Sequence, residues 1–172
     1  MYESFYAKIS APFRKSKLML KAVPAVDRLL TASFYLSYPL LLILLLLEGL
    51  YGEHGFASFK HLIVCLFSPA LGFVLVSWMR KRVNAARPYE MHNIDALITK
   101  DSVGQSFPSK HVYSSFAIAT CWLSYSHVFG AIFAVLAFCI ALIRIIGGVH
   151  FPKDVVAGSL VGVAFGSLSL IL

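Results

Sequence analysis

Charge is scarce in this chain, and acidic charge scarcest. Only 13% of the 172 residues are charged, with eight Asp and Glu against fifteen Lys and Arg. A water-soluble domain carries about a quarter, so the composition sets that class aside. Cysteine is also sparse. Cys65, Cys121 and Cys139 are odd in number and all lie within apolar runs, which excludes a disulfide framework and leaves them as small packing residues. The acids are scattered, with Asp95 and Asp101 standing alone in a polar segment as solvated loop residues. No metal-ligand cluster is visible, and neither a metal nor another cofactor is expected. Linkers, low-complexity tracts and repeats are missing too, so residues 1–172 read as a single unit.

What is abundant is apolar surface. Hydrophobic residues make up 59% of the chain and gather into five runs, at about 29–50, 62–79, 112–125, 128–146 and 155–172. Crossing the hydrocarbon takes roughly 20 residues, with about 17 as the lower limit, so the third run is the shortest candidate. The fold expected is all-α: a polytopic membrane helix bundle of about five transmembrane helices, preceded by an N-terminal amphipathic helix. Residues 1–27 form that basic segment, with Lys8, Arg14, Lys15, Lys17 and Lys21 among Phe5, Tyr6, Phe13, Leu18 and Leu20. It has no continuous apolar core of the signal-peptide kind and is expected along the membrane surface. Residues 28–79 hold two leading spans, and 80–172 hold the remaining runs with the polar segments between them. Pro39 and Pro69 sit mid-run, where a membrane helix bends without breaking because neighbours satisfy the freed carbonyls. Gly158, Gly162 and Gly166 recur every fourth residue and give the last run a smooth face for close helix packing.

The two-residue connection at Ser126-His127 makes runs three and four antiparallel neighbours, which brings the polar segments 80–110 and 144–154 to the same side. Three clusters lie there. Arg80-Lys81-Arg82 and Arg87-Pro88 end a helix, and alone they read as a basic anchor. Pro108-Ser109-Lys110-His111 opens a helix, with Ser109 a candidate N-cap and His111 in the first turn; the free amides of such a terminus also favour an anion. Arg144, Gly147-Gly148, His150 and Asp154 join the last two runs. Pro152 fits the first position of a helix, which puts Asp154 in its first turn, where it can accept a hydrogen bond from one nitrogen of His150 and free the other. Together the clusters offer cations for a phosphate, a nucleophile and an acid, the inventory of phosphoryl transfer.

These residues resemble the type 2 phosphatidic acid phosphatase superfamily, whose motifs are Lys-x6-Arg-Pro, Pro-Ser-Gly-His and Ser-Arg-x5-His-x3-Asp. The third is matched by Arg144, His150 and Asp154, the second by Pro108, Ser109 and His111, and the first by Arg87-Pro88 with Arg80 in place of lysine. Lys110 replaces glycine and Ile143 replaces serine. The resemblance implies a metal-independent lipid phosphatase. His150 would attack phosphorus and form a phosphohistidine, Asp154 would orient it, and His111 would protonate the leaving oxygen and then activate water. Arg80, Arg87, Ser109, Lys110 and Arg144 would hold the phosphate, with Lys81 able to serve one position out of register. His54, His61, His92 and His127 match no motif and are expected at the surface or between helices.

The partners expected are the bilayer and a phosphorylated lipid: a phosphatidate, a phosphatidylglycerophosphate, or a polyprenyl phosphate or diphosphate. The net charge of +7 suits lipid headgroups and phosphate, and no nucleic acid is expected. A soluble vanadate-binding haloperoxidase shares such a pocket but not this apolar content. Lys110 and Ile143 leave open a catalytically weak or silent protein that binds lipid phosphates. With five spans, fourteen of the fifteen Lys and Arg residues fall on the side of the catalytic segments, Lys60 alone on the other. Positive-inside bias then places that side in the cytoplasm, whereas the membrane members of the family usually face away from it.

Overall fold

The computed structural model describes residues 2–53, 55–98 and 103–171; His54 and Asp101 lie outside them. Every regular element among the described residues is helical: α1 (Tyr2–Arg14), α2 (Lys17–Tyr51), α3 (Gly55–Val83), the single turn α4 (Pro88–Met91), α5 (Lys110–Tyr125), α6 (His127–Ile146) and α7 (Pro152–Gly166), closed by a 3-10 turn at Ser167–Leu170.

Four helices, α2, α3, α6 and α7 with its terminal turn, are long and apolar enough to cross a membrane. The protein is therefore a multi-pass helical membrane bundle. The expected count of five is met only in part. Helix α5 has 16 residues, about 24 Å at 1.5 Å per residue, short of the roughly 30 Å hydrocarbon layer. Its sequence reads as weak because the helix is central. Nine of its residues are buried, and its most extensive contacts are with α6 and α7.

The glycine face of α7 makes that position possible. A Cβ on Gly158 would lie 2.6 Å from the Ser109 carbonyl oxygen, and one on Gly162 2.5 Å from that of Tyr113. Backbone meets backbone along this seam, the contact that small residues permit where no hydrophobic effect drives helices together. On the other side Trp122 stacks on Phe133 of α6 at 5.3 Å, and Leu41, Leu45 and Cys65 complete the core. The outer surface stays apolar, with Leu36, Phe67, Val135 and Leu160 exposed, as a lipid-facing surface must be.

The mid-helix prolines leave α2 and α3 continuous. Pro69 frees the carbonyl four residues before it, on Cys65, and the Tyr38 hydroxyl of α2 donates to that oxygen at 2.8 Å. Helix α2 starts earlier than its apolar run. It has 35 residues and passes without interruption through the boundary drawn at residue 27. At about 52 Å it outreaches the hydrocarbon layer, so its first turns, bearing Lys17, Lys21 and Arg28, belong to the headgroup zone.

Helix α1 lies against the segment 93–97. Arg14 forms an ion pair with Asp95 at 2.7 Å, the Asn93 amide donates to Glu3 Oε1 at 3.0 Å, and the Leu97 amide donates to the Tyr6 hydroxyl at 3.2 Å. Asp95 is exposed, as expected of a loop acid, yet it is paired. Of the histidines outside the motifs, His61 bonds Ser124 of α5 at 2.7 Å, His92 stacks on Tyr2, and His127 is exposed.

Candidate active site

Each cluster seen in the sequence ends on the same face of the bundle, and backbone contacts fasten them together. The Ser109 amide donates to the Asp154 carbonyl at 2.9 Å, and the Ile98 amide to the Gly147 carbonyl at 3.1 Å. Arg80, at the end of α3, donates from Nη1 to the Pro108 carbonyl at 2.7 Å. Arg87 is buried; its Nε donates to the Gly104 carbonyl at 3.1 Å and its Nη1 to the Val149 carbonyl at 3.3 Å. One guanidinium thus spans the segments carrying the second and third motifs. Glu90, not singled out in the sequence, supports it by accepting from the Arg87 amide at 3.1 Å and the Gly104 amide at 2.8 Å. Lys81 beside it is exposed, whereas Arg80 is half-buried and is the cation that bonds the second motif, at Pro108.

His150 is 1% exposed and lies in the short connection before α7. Asp154 follows in the first turn of α7, as expected, and is fully buried. The expected direct hydrogen bond is not what forms. His150 Nδ1 and Asp154 Oδ2 are 3.6 Å apart, too long for one. Ser106 sits beside both, its Oγ 2.5 Å from Asp154 Oδ2 and 3.3 Å from His150 Nδ1. The Phe151 amide also donates to Asp154 Oδ2, at 3.0 Å. Burial pushes the His150 imidazole down to about pKa 4, against the opposing pull of Asp154 and with Arg87 and Arg144 adding to the fall. It is therefore neutral at ordinary pH, the state a nucleophile needs.

Ser109 stands at the N-cap of α5, but its side chain caps no amide. Among the described residues its hydroxyl is buried without a partner. That corrects the expectation of a capping serine, and it leaves a buried polar group with a hydrogen bond still to make. Lys110 places its ammonium 3.9 Å from the centre of the Phe73 ring.

Arg144 is 2% exposed, and its charge is matched by a residue with no motif to announce it. Asp27 of α2 brings Oδ1 to 3.0 Å from Arg144 Nε, as an ion pair off hydrogen-bond alignment. Thr31, one turn on, accepts from Arg144 Nη2 at 3.4 Å. No local signal marked Asp27: it stands just before the first apolar run, between Lys21 and Arg28, and reads as one more charge of the basic segment. His111 lines two adjoining cavities. One of about 460 Å³ is half polar, with Asp27, Arg28, Thr31 and Arg144 in its wall beside Leu97 and Ile98. The other, of about 190 Å³, runs among Phe34, Phe73, Ile118 and Ile140 and includes Lys110. Thr31 and Tyr35 belong to both walls.

The loop before α7 closes under α1. Gly148 has φ +75°, and a Cβ there would meet the Tyr6 hydroxyl at 2.8 Å. This glycine serves both a left-handed turn and a close approach. Tyr2 packs edge-on against Phe151, next to the histidine, at 4.8 Å.

Residues 61–172 match the sequence model of the PAP2 superfamily. The chain is 39% identical over 71 residues to the bacitracin transport permease protein BcrC of Bacillus licheniformis, a stretch of 41% of this chain and 34% of that protein. It is 32% identical over 133 residues to the putative undecaprenyl-diphosphatase YbjG of Escherichia coli, covering 76% of this chain and 63% of that one. It thus spans less than two thirds of either curated relative. Among solved structures, LpxE of Aquifex aeolicus superposes with a TM-score of 0.70 at 26% identity, over 98% of this chain and 94% of that one. The transmembrane PAP2-type phosphatidylglycerolphosphate phosphatase of Bacillus subtilis superposes at 0.61 with 22% identity, over 98% and 84%, which shows the shared fold.

Proposed function

This chain belongs to the PAP2 superfamily, and on that premise we propose that it is a metal-independent phosphatase that removes phosphate from a lipid monophosphate or diphosphate through a phosphohistidine. The observation that carries this reading is a neutral, buried His150 tied to Asp154 through Ser106, beside Arg87 and Arg144.

In the first step His150 Nε2 bonds to phosphorus as the bond from phosphorus to the lipid oxygen breaks. His111 gives that oxygen its proton. In the second step His111 takes a proton from water, the water oxygen attacks phosphorus, and the phosphorus–nitrogen bond breaks. Inorganic phosphate leaves and both histidines are restored. Arg80, Arg87, Arg144, Lys110 and the Ser109 hydroxyl hold the phosphoryl oxygens and offset the charge that builds on them.

The cavities favour a lipid whose charged head occupies the half-polar chamber at Arg144 while its first carbons follow the apolar one past His111. A polyprenyl diphosphate, the substrate type in the name of the Escherichia coli relative, suits a site where Lys110 adds a cation next to His111. The same end also holds α1 and its basic residues, and the positive-inside bias supports a cytoplasmic face over the outward face usual in the family.

The test is phosphate release from purified protein given phosphatidate, phosphatidylglycerophosphate, polyprenyl phosphate and polyprenyl diphosphate, each with and without a chelator. Turnover of at least one lipid that persists in the chelator is expected. A strict requirement for a divalent ion would overturn the mechanism. No release from any of them, with retained binding, would favour the silent lipid-phosphate binder.

A further inference from the structure

We propose that Ser106 is a positioning residue that sets which nitrogen of His150 carries the proton; this rests on the reading of His150 as the nucleophile.

The argument is one of hydrogen-bond direction. Ser106 is wholly buried. Its main chain is fixed on both sides, the amide donating to the Ala85 carbonyl at 2.8 Å and the carbonyl accepting from Arg80 Nη1 at 3.4 Å. The side chain has two polar neighbours, Asp154 Oδ2 at 2.5 Å and His150 Nδ1 at 3.3 Å. A carboxylate oxygen can only accept, and a serine hydroxyl has one hydrogen. Given to Asp154, that hydrogen leaves only a lone pair to face Nδ1. Nδ1 must then carry the imidazole hydrogen, and a neutral ring with hydrogen on Nδ1 has a bare lone pair on Nε2, the atom that attacks phosphorus.

Asp154 cannot exert this control alone, being 3.6 Å from Nδ1. Nor is it free to swing closer, because the same oxygen accepts the Phe151 amide at 3.0 Å. The serine thus transmits the carboxylate's demand for a donor across a gap that the carboxylate does not close. Ser106 lies outside the spacing of the three motifs, three residues before Ser109, and it reaches its partners only because the segment before α5 folds back over the start of α7.

The test is NMR of the full-length protein in micelles, with 15N-labelled histidine and the His150 signals assigned by loss in His150→Gln. The wild type is expected to show His150 with Nδ1 protonated and Nε2 bare. Ser106→Ala is expected to move the ring toward the other tautomer and to lower kcat by about 10- to 100-fold, the range known for partners that orient metal-bound histidines, with KM within about threefold. Ser106→Thr keeps the hydroxyl and is expected to restore both tautomer and rate. A wild-type His150 protonated on Nε2 overturns the proposal without any variant. So does a Ser106→Ala protein with unchanged tautomer and kcat. If His150→Ala were still active while the wild-type tautomer was as stated, the nucleophile assignment would fail and the positioning of the ring by Ser106 would stand.

Discussion

The ion pair between Asp27 and Arg144 sets up the sharpest test of how this site is built, through Asp27→Asn. The substitution keeps the shape of the side chain and removes one charge. Arg144 is 2% exposed and Asp27 11%, with 3.0 Å between Nε and Oδ1. Removing one partner of a buried pair costs about 3 to 5 kcal/mol, because the other is left as an uncompensated charge. Asp27 borders a half-polar cavity, so the lower figure applies. About 3 kcal/mol lowers Tm by roughly 6 to 12 °C for a chain of this size. The same cavity offers a remedy. An anion beside Arg144 supplies the missing charge, and a ligand at about 100 times its Kd returns roughly 2.7 kcal/mol. Inorganic phosphate should therefore raise the Tm of Asp27→Asn more than that of the wild type, where it must sit near a carboxylate. Thermal unfolding in detergent over a phosphate series reads both effects. A variant that unfolds within about 2 °C of the wild type would refute the energetic role of the pair. Equal stabilisation of both proteins by phosphate would refute the placing of Asp27 beside the phosphate site.

Turnover should nearly vanish in His150→Ala and in His111→Ala, and fall less in Asp154→Asn, which orients without forming a bond; a His150→Ala enzyme at wild-type rate would sink the nucleophile assignment, and His127→Ala, exposed and remote, serves as the control. The pH profile of kcat/KM should hold well below the ordinary histidine range. Burial lowers the His150 pKa to about 4 against Asp154, with Arg87 and Arg144 on the same side as burial, so the neutral nucleophile is lost only as pH falls toward 4, and an acid limb centred near 6.5 on His150 would contradict this. A cysteine at the exposed Asn93, in a protein without Cys65, Cys121 and Cys139, should resist a membrane-impermeant thiol reagent on intact cells; strong labelling, with the reagent excluded from the cytoplasm, would place the site on the outer face.

The motifs and the runs were legible because their signals are local. Pro152 announces the start of α7 and so the place of Asp154, and the four-residue glycine spacing announces the seam with α5. Asp27 and Ser106 were not legible. Each takes its meaning from a partner more than forty residues away, and neither stands at a motif spacing. The start of α2 was missed for another reason. Lys17, Lys21 and Arg28 argue against hydrocarbon, which is true of their side chains, but a helix can pass through the headgroup zone with such residues exposed. Helix α1 read as a surface segment because its polar contacts are with loop residues 93–97, and no pattern in α1 alone reports them.

The short, polar α5 has a consequence for how the chain is made. Its sixteen residues include His111, Ser114, Ser115, Thr120 and Ser124, a poor credential for solitary release from a translocon into lipid. Its neighbour α6 follows after one residue, and its glycine-lined partner α7 is synthesised later still. Paired with α6 alone, the segment would leave the side that Gly158 and Gly162 cover open to lipid until α7 emerges. The site draws on α5, the α6–α7 connection and α7, so it can be complete only once all three are in place.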